Sequence, residues 1–308
     1  MNGIGEIAVL QHCADLVGES PLWDMDRDAL WWVDIHGKAL HRLDMSSGRC
    51  QTRELPFPPG ALALGEDGDI IVAGGTGWYG FCPDTGELQE LASFGDHSPA
   101  VRMNDGVVDP LGRFWVGTVP LKPSLQPEGR LFRLQSRAAI AVVDGLRTQN
   151  GTAISPDGRT FYLADSHREV CVIWAFDLEM ESGSLSNRRV FHQPAVGRPD
   201  GAAVDADGCY WFAAIDAGRI VRLDPQGREM THVPLPVSRP TNLAFFGPEL
   251  STLCVTSMCL GMEAGGPTKE PLAGALLSFD AGVRGLPQPR CHARSGVRRP
   301  KTDIFENC

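Results

Sequence analysis

Six short stretches of this sequence set one residue just ahead of an apolar run, and in five of the six that residue carries a side-chain oxygen. They are Glu19 in GESPLW, Asn104 in MNDGVVD, Asn150 in QNGTAIS, Asp200 in PDGAAVD and Asn242 in TNLAFF, with Gly60 of PPGALAL in the remaining slot. Two carboxylates among several amide oxygens make a hard, all-oxygen donor set of low net charge. Such a set suits one hard divalent cation such as Ca²⁺, Mg²⁺ or Mn²⁺, with Zn²⁺ or Fe²⁺ also compatible with the ligand types. Neither cysteine nor histidine occupies a slot. Asn and Asp before Gly are also ordinary turn and strand-entry residues, so no single slot carries the argument. Recurrence in phase with a repeat does.

That repeat is what must position the slots. PLWDMDRDALWWVDIHGKALHRLD, ALALGEDGDIIVAGGTGWYGFC, GVVDPLGRFWVGT, TAISPDGRTFYLADSHREVCVIWAFD, AAVDADGCYWFAAIDAGRIVRLD and LAFFGPELSTLCVTSM each read as apolar strand, turn rich in Asp, Gly or Pro, and second apolar strand. Most continue to a third strand. Within RPDGAAVDADG the two Asp-Gly pairs therefore differ: Asp207-Gly208 is a hairpin turn, whereas Asp200-Gly201 stands at a strand entry, where the glycine is expected to let the chain turn down into the inner strand. The period of roughly 40 to 50 residues lies in the range of propeller blades. The predicted fold is all-β, a six-bladed β-propeller with a metal site at one end of its central channel, because a radial fold brings equivalent strand ends together on the axis. A pair of β-sandwiches is the alternative, and it leaves the regular phase unexplained. One domain is expected over residues 1–290. The tail CHARSGVRRPKTDIFENC, residues 291–308, has no apolar periodicity and is expected to be a poorly ordered extension. Its Arg294, Arg298, Arg299 and Lys301 leave a partner-binding role as the alternative.

Composition narrows the partners. With 35 Gly and 23 Pro and few runs at helical spacing, the chain suits an all-β fold with many turns. A net charge of −10 argues against nucleic acid or an anionic membrane surface. No apolar stretch reaches the length of a membrane span, and MNGIGEIAVLQHCADL lacks the basic start and apolar centre of a signal peptide, so a cytoplasmic protein is expected; a monomer is the default expectation for its assembly. The nine cysteines show no CxxC pair or zinc spacing and read as reduced thiols. Trp23, Trp31, Trp32, Trp115 and Trp211 fall at strand positions and read as blade packing, with an aromatic wall for a sugar as the alternative for one of them. Asp165 ends a strand as Asp34 does, and His167 beside it reads as a rim residue.

At these residues the chain resembles the sugar lactonases related to regucalcin (senescence marker protein), gluconolactonase and the luciferin-regenerating enzyme. GESPLW with WWVDI, RMNDGVVDPLGRFWVGT, NGTAISPDGRTFYLADS, RPDGAAVDADGCYW, RPTNLAF and GVRGLPQPR carry the resemblance in order from about Glu6 to Arg290. It implies a six-bladed propeller with one catalytic divalent metal in the channel. It also implies metal ligands at Glu19, Asn150 and Asp200 and substrate contacts at Arg102 and Asn104. Regucalcin-like members carry an acidic residue shortly after the GT of the third blade, where this chain has Lys122, so a shifted substrate preference is implied and Lys122 joins the substrate-binding set.

The chemistry implied is metal-dependent opening of a sugar lactone to the aldonic acid in carbohydrate catabolism. The metal would polarise the ester carbonyl and lower the pKa of a bound water, with Asp200 as general base as well as ligand. Two alternatives remain at this stage. The same propeller could hydrolyse other esters or phosphotriesters, or the chain could be a non-catalytic calcium-binding regulatory protein, for which Arg102 and Asn104 would be superfluous.

Overall fold

The computed structural model describes residues 3–94, 101–122, 126–262 and 270–294. Its regular elements among these are strands β1 to β24 in chain order, grouped in six four-stranded antiparallel sheets. Short apolar runs, buried along their whole length in the inner strands and broken by turns rich in Asp, Gly and Pro, favour a series of antiparallel meanders. The innermost strands are β2 (Gly18–Asp24), β6 (Pro59–Leu64), β10 (Val101–Val108), β14 (Gln149–Ile154), β18 (Arg198–Val204) and β22 (Pro240–Phe246). Each packs beside the next, and β22 packs back against β2, closing a six-bladed propeller. Closure uses both ends of the described chain. In the last blade the outermost strand is β1 (Ala8–Gln11), paired antiparallel with β24 (Leu276–Asp280), which fastens the N-terminal segment into the C-terminal blade by backbone hydrogen bonds.

The apolar faces of adjacent blades meet in buried clusters that hold Trp32, Trp78, Trp115 and Trp211, each at most 1% exposed. The tryptophans expected to pack the blades do so. Two are braced by a carboxylate in the preceding turn: Trp115 Nε1 donates to Asp109 and Trp211 Nε1 to Asp205, both at 2.8 Å. The same two aspartates hold buried guanidiniums: Asp109 that of Arg113 within DPLGRFW itself, and Asp205 that of Arg222, which reaches DADGCYW from the following strand. Asp207-Gly208 is the hairpin turn expected, with Gly208 at φ 81°.

Every innermost strand loses register with its neighbour at one place. The shifts fall between Glu19 and Leu22, Pro59 and Ala61, Met103 and Gly106, Asn150 and Ala153, Pro199 and Ala202, and Pro240 and Leu243. These intervals begin at, or contain, the six slots. A bulge leaves residues unpaired and re-aims their side chains, and here it recurs around the axis at one level.

Beyond β24 the chain crosses the far end of the channel, where the inner strands finish. Gly285 pairs with Asp205, Cys291 pairs with Gly65, and the His292 N–H donates to the Gly112 carbonyl at 2.9 Å. Cys291 and Ala293 are buried against blades two and three, and Arg294 reaches Glu66 at 3.4 Å. The remainder of the extension, with Arg298, Arg299 and Lys301, lies outside the described residues. No helix among the described residues is long and apolar enough to cross a membrane, and the eight described cysteines are free thiols.

Candidate active site

The bulges turn Glu19, Asn104, Asn150, Asp200 and Asn242 toward one end of the channel, each between 5% and 7% exposed. A chain of polar contacts links them across blade boundaries. Arg102 donates through Nη1 to Asn104 Oδ1 at 2.7 Å, Asn104 Nδ2 donates to Asn150 Oδ1 at 2.7 Å, and Asn150 Nδ2 donates to Ser166 Oγ at 3.0 Å. These contacts fix which face of each amide is oxygen. On the other side, Asn242 Nδ2 donates to Glu19 Oε2 at 2.8 Å and lies 3.2 Å from Asp105 Oδ1.

Asp200 differs from its neighbours. Its carboxyl is buried, yet among the described residues no donor is recorded within hydrogen-bond distance of it. Burial and the charge of Glu19 push it well above the usual carboxylate range, with Arg198 pulling the other way. Glu19 is raised too, by burial first and by the Asp105 charge second, while the Asn242 hydrogen bond lowers it. The Arg102 guanidinium is lowered to about 10 because it is buried, although Glu19 and Asp200 draw it upward. Among the described residues it hydrogen-bonds only to the Met103 carbonyl and Asn104, both through Nη1, so most of its planar fork of donors has no partner there.

Among the described residues no three His, Cys, Asp or Glu side chains gather as a group able to hold a metal ion. A cation here would draw on amide oxygens as well as on Glu19 and Asp200. The donor chemistry fits one: two buried carboxyls destabilise each other's charge, no arginine among the described residues hydrogen-bonds to either, and Asn150 Oδ1 keeps a second lone pair.

Two members of this arrangement were not singled out as site residues from sequence. Asn242 occupied a slot but had no role; it orients Glu19. Asp105 follows Asn104 directly, is 5% exposed, and accepts the N–H and hydroxyl of Thr152, both at 2.7 Å. Its signal was its place beside a slot residue in a strand where an apolar residue would be expected.

Gly201 also has a different reason from the one its position suggests. The expectation was a glycine that lets the chain turn into the strand. Gly201 does not adopt positive φ. A Cβ there would lie 2.0 Å from the Asn242 side-chain carbon, so glycine makes room for the amide that holds Glu19.

Lys122 is exposed on the loop after the strand that pairs with β10, at the same end of the blade as Arg102, and has no recorded partner among the described residues. Asp165 caps the N–H groups of Arg147 and Thr148 at 2.9 and 3.0 Å, and His167 lies beside Arg147 at the rim. Asp34 does the same for Leu16 and Val17, so both acids serve the backbone. Beneath the ring of site groups the channel holds a cavity of about 380 Å³. Ser20, Asp105, Thr152 and Asn242 line it, Leu286 to Pro289 also contribute to its wall, and Glu19, Asn150 and Asp200 are not part of its lining.

A family model described as the SMP-30/Gluconolactonase/LRE-like region matches residues 17–259. A 6-deoxy-6-sulfogluconolactonase from Pseudomonas putida is 37% identical, covering 89% of this chain and 94% of its own. A regucalcin from Xenopus laevis is 33% identical over 88% of this chain and 93% of its own, and a pentonolactonase from Haloferax volcanii is 33% identical over 91% and 96%. Among solved structures, a calcium-binding protein described as regucalcin, from Agrobacterium tumefaciens, superposes with a TM-score of 0.88 at 28% identity, covering 93% of this chain and 97% of that one.

Proposed function

The chain belongs to the SMP-30/gluconolactonase/LRE-like family, and from that premise we propose that it hydrolyses a sugar lactone to the aldonic acid at the mouth of the propeller channel. The observation that carries this reading is Asp200: a buried carboxyl without a recorded hydrogen-bond donor, raised by burial and by Glu19, facing the end of the channel where Arg102 holds free donors. Relatives named as lactonases support the substrate class.

Glu19, Asn150 and Asp200 are the residues that would hold a divalent cation, which when bound supplies Lewis-acid polarisation of the ester carbonyl. Around it the protein's own groups divide the remaining work. Asp200 accepts a proton from the attacking water, acting from the ionised form that a neighbouring cation favours. Arg102 and Asn104 orient the ring hydroxyls or the carbonyl oxygen. Asn242 keeps Glu19 turned into the channel.

The test is proton release from a panel of aldonolactones, using chelator-treated protein with single divalent metals added back, beside Asp200→Ala. Turnover that requires a metal and is lost in the variant supports the proposal. Absence of turnover with every metal, while Ca²⁺ still binds, would replace it with a calcium-binding role.

A further inference from the structure

Three arginines from three different blades surround a single carboxylate at the rim of the candidate site. Arg198 donates to Asp216 Oδ2 through Nε at 3.0 Å and Nη2 at 2.9 Å. Arg168 and Arg239 approach the same carboxylate at 3.6 and 3.7 Å, within ion-pair range but beyond a hydrogen bond. Arg239 Nε is buried without a hydrogen-bond partner, and its Nη1 is turned to the Leu260 carbonyl. Three guanidiniums against one carboxylate leave two positive charges in excess, in a chain whose formal charge is −10. The nearby Glu270 is engaged by the N–H and hydroxyl of Ser238.

The cluster borders the candidate site. Arg198 stands two residues before Asp200 on β18, about 7 Å along an extended strand, and its Nη1 lies 3.4 Å from the Ser166 carbonyl. Ser166 Oγ in turn accepts from Asn150. Lys122, a further cation without a partner among the described residues, stands at the same end of blade three. The rim is therefore positive while Glu19, Asp105 and Asp200 make the base negative, a field that draws a cation to the base and an anion to the rim.

We infer that the mouth takes a lactone bearing a second, permanently anionic group, a carboxylate, sulfonate or phosphate distal to the ester, and that the Arg168, Arg198 and Arg239 cluster around Asp216 binds it. The inference rests on the lactonase reading and narrows its substrate class. Guanidinium forks with unused N–H groups match the paired oxygens that these three anions share.

The experiment compares neutral glucono-1,5-lactone with its 6-carboxylate, 6-sulfonate and 6-phosphate counterparts, using the wild type, Arg168→Gln and Arg239→Gln. At least one anionic lactone should show kcat/KM about tenfold or more above the neutral one, and the advantage should shrink as salt screens the rim. Each variant should lower kcat/KM for that lactone about tenfold through KM while changing the neutral lactone less than about twofold. Which of the three anions is preferred identifies the source. A neutral lactone turned over as well as all three, or variants that depress neutral and anionic substrates alike, would overturn the inference. Titration calorimetry with gluconate, glucarate and 6-phosphogluconate needs no turnover. If no lactone is hydrolysed but glucarate or 6-phosphogluconate, each with a second anionic group, binds more tightly than gluconate and loses that margin in Arg239→Gln, the lactonase reading fails and the cluster's role stands. Equal binding of all three acids rejects the cluster's role.

Discussion

Asn242 donates its amide hydrogen to Glu19 at 2.8 Å across 223 residues of chain, joining the last blade to the first at the candidate site. The contact exists only when the ring is closed, because the two residues sit on β22 and β2, whose packing completes the propeller. Site geometry and fold closure are therefore one event.

Replacing Gly201 tests that contact from the other side. A Cβ at this position would fall 2.0 Å from the Asn242 side chain, and the amide has little room to retreat because it is 5% exposed. Gly201→Ala should cost about 1–3 kcal/mol by overpacking, read as a lower denaturant midpoint at unchanged slope. Divalent-metal affinity should fall with it. A variant as stable as the wild type, with unchanged affinity, would refute the account of Gly201.

Asp200 is assigned two tasks, and substitutions can separate them. Asp200→Asn removes the base and keeps the size and one oxygen, so turnover should drop by about 10²–10⁴-fold. Glu19→Gln should weaken metal binding more than Asp200→Asn does. Initial rates of proton release and calcium titration by calorimetry give the two readouts. Equal losses of both in both variants would count against the dual role.

Burial makes a carboxyl prefer its proton, so Glu19 and Asp200 give the metal-free protein an unusual pH dependence. The Glu19 carboxyl rises from 4.5 when unfolded to about 7 in the folded chain, and Asp200 moves in the same direction. A raised carboxyl favours the folded state fully below its unfolded value and loses that contribution as pH climbs through the folded one. In the presence of a chelator, the stability difference between the wild type and Glu19→Gln/Asp200→Asn should therefore shift against the wild type between pH 4.5 and about 7. Excess CaCl₂ should restore the wild type at the upper end of that range and leave the double variant unaffected. Thermal melts in matched buffers check both statements.

The Asp205 brace is structural and lies in the turn after β18, away from the slots. Its carboxylate is 0% exposed and holds Trp211 and Arg222 together. Asp205→Ala leaves the buried Arg222 guanidinium with only the exposed Asp207 carboxylate, 3.2 Å from Nη2, as counter-ion, so the loss should approach the roughly 3–5 kcal/mol typical of breaking a buried pair. Urea unfolding should show that loss, while the folded fraction should keep its kcat within about twofold. A large drop in kcat for the folded fraction would place Asp205 in the site after all.

The chain by itself determined the repeat, the all-β class and most of the candidate site. Apolar runs alternating with Asp-Gly turns admit little but antiparallel meanders, and six of them in phase admit a ring. Glu19, Asn104, Asn150 and Asp200 were legible because a radial fold converts equal phase in sequence into proximity in space. Tertiary structure decided what phase cannot express. The bulges that aim the slot residues depend on pairing with a neighbouring strand, Asn242 and Asp105 gained their roles only from partners on other blades, and Gly201 owes its identity to an amide 41 positions away. The arginine cluster is the extreme case. Arg168, Arg198 and Arg239 share no spacing or motif, and they meet at Asp216 because loops of successive blades are brought side by side when the ring closes.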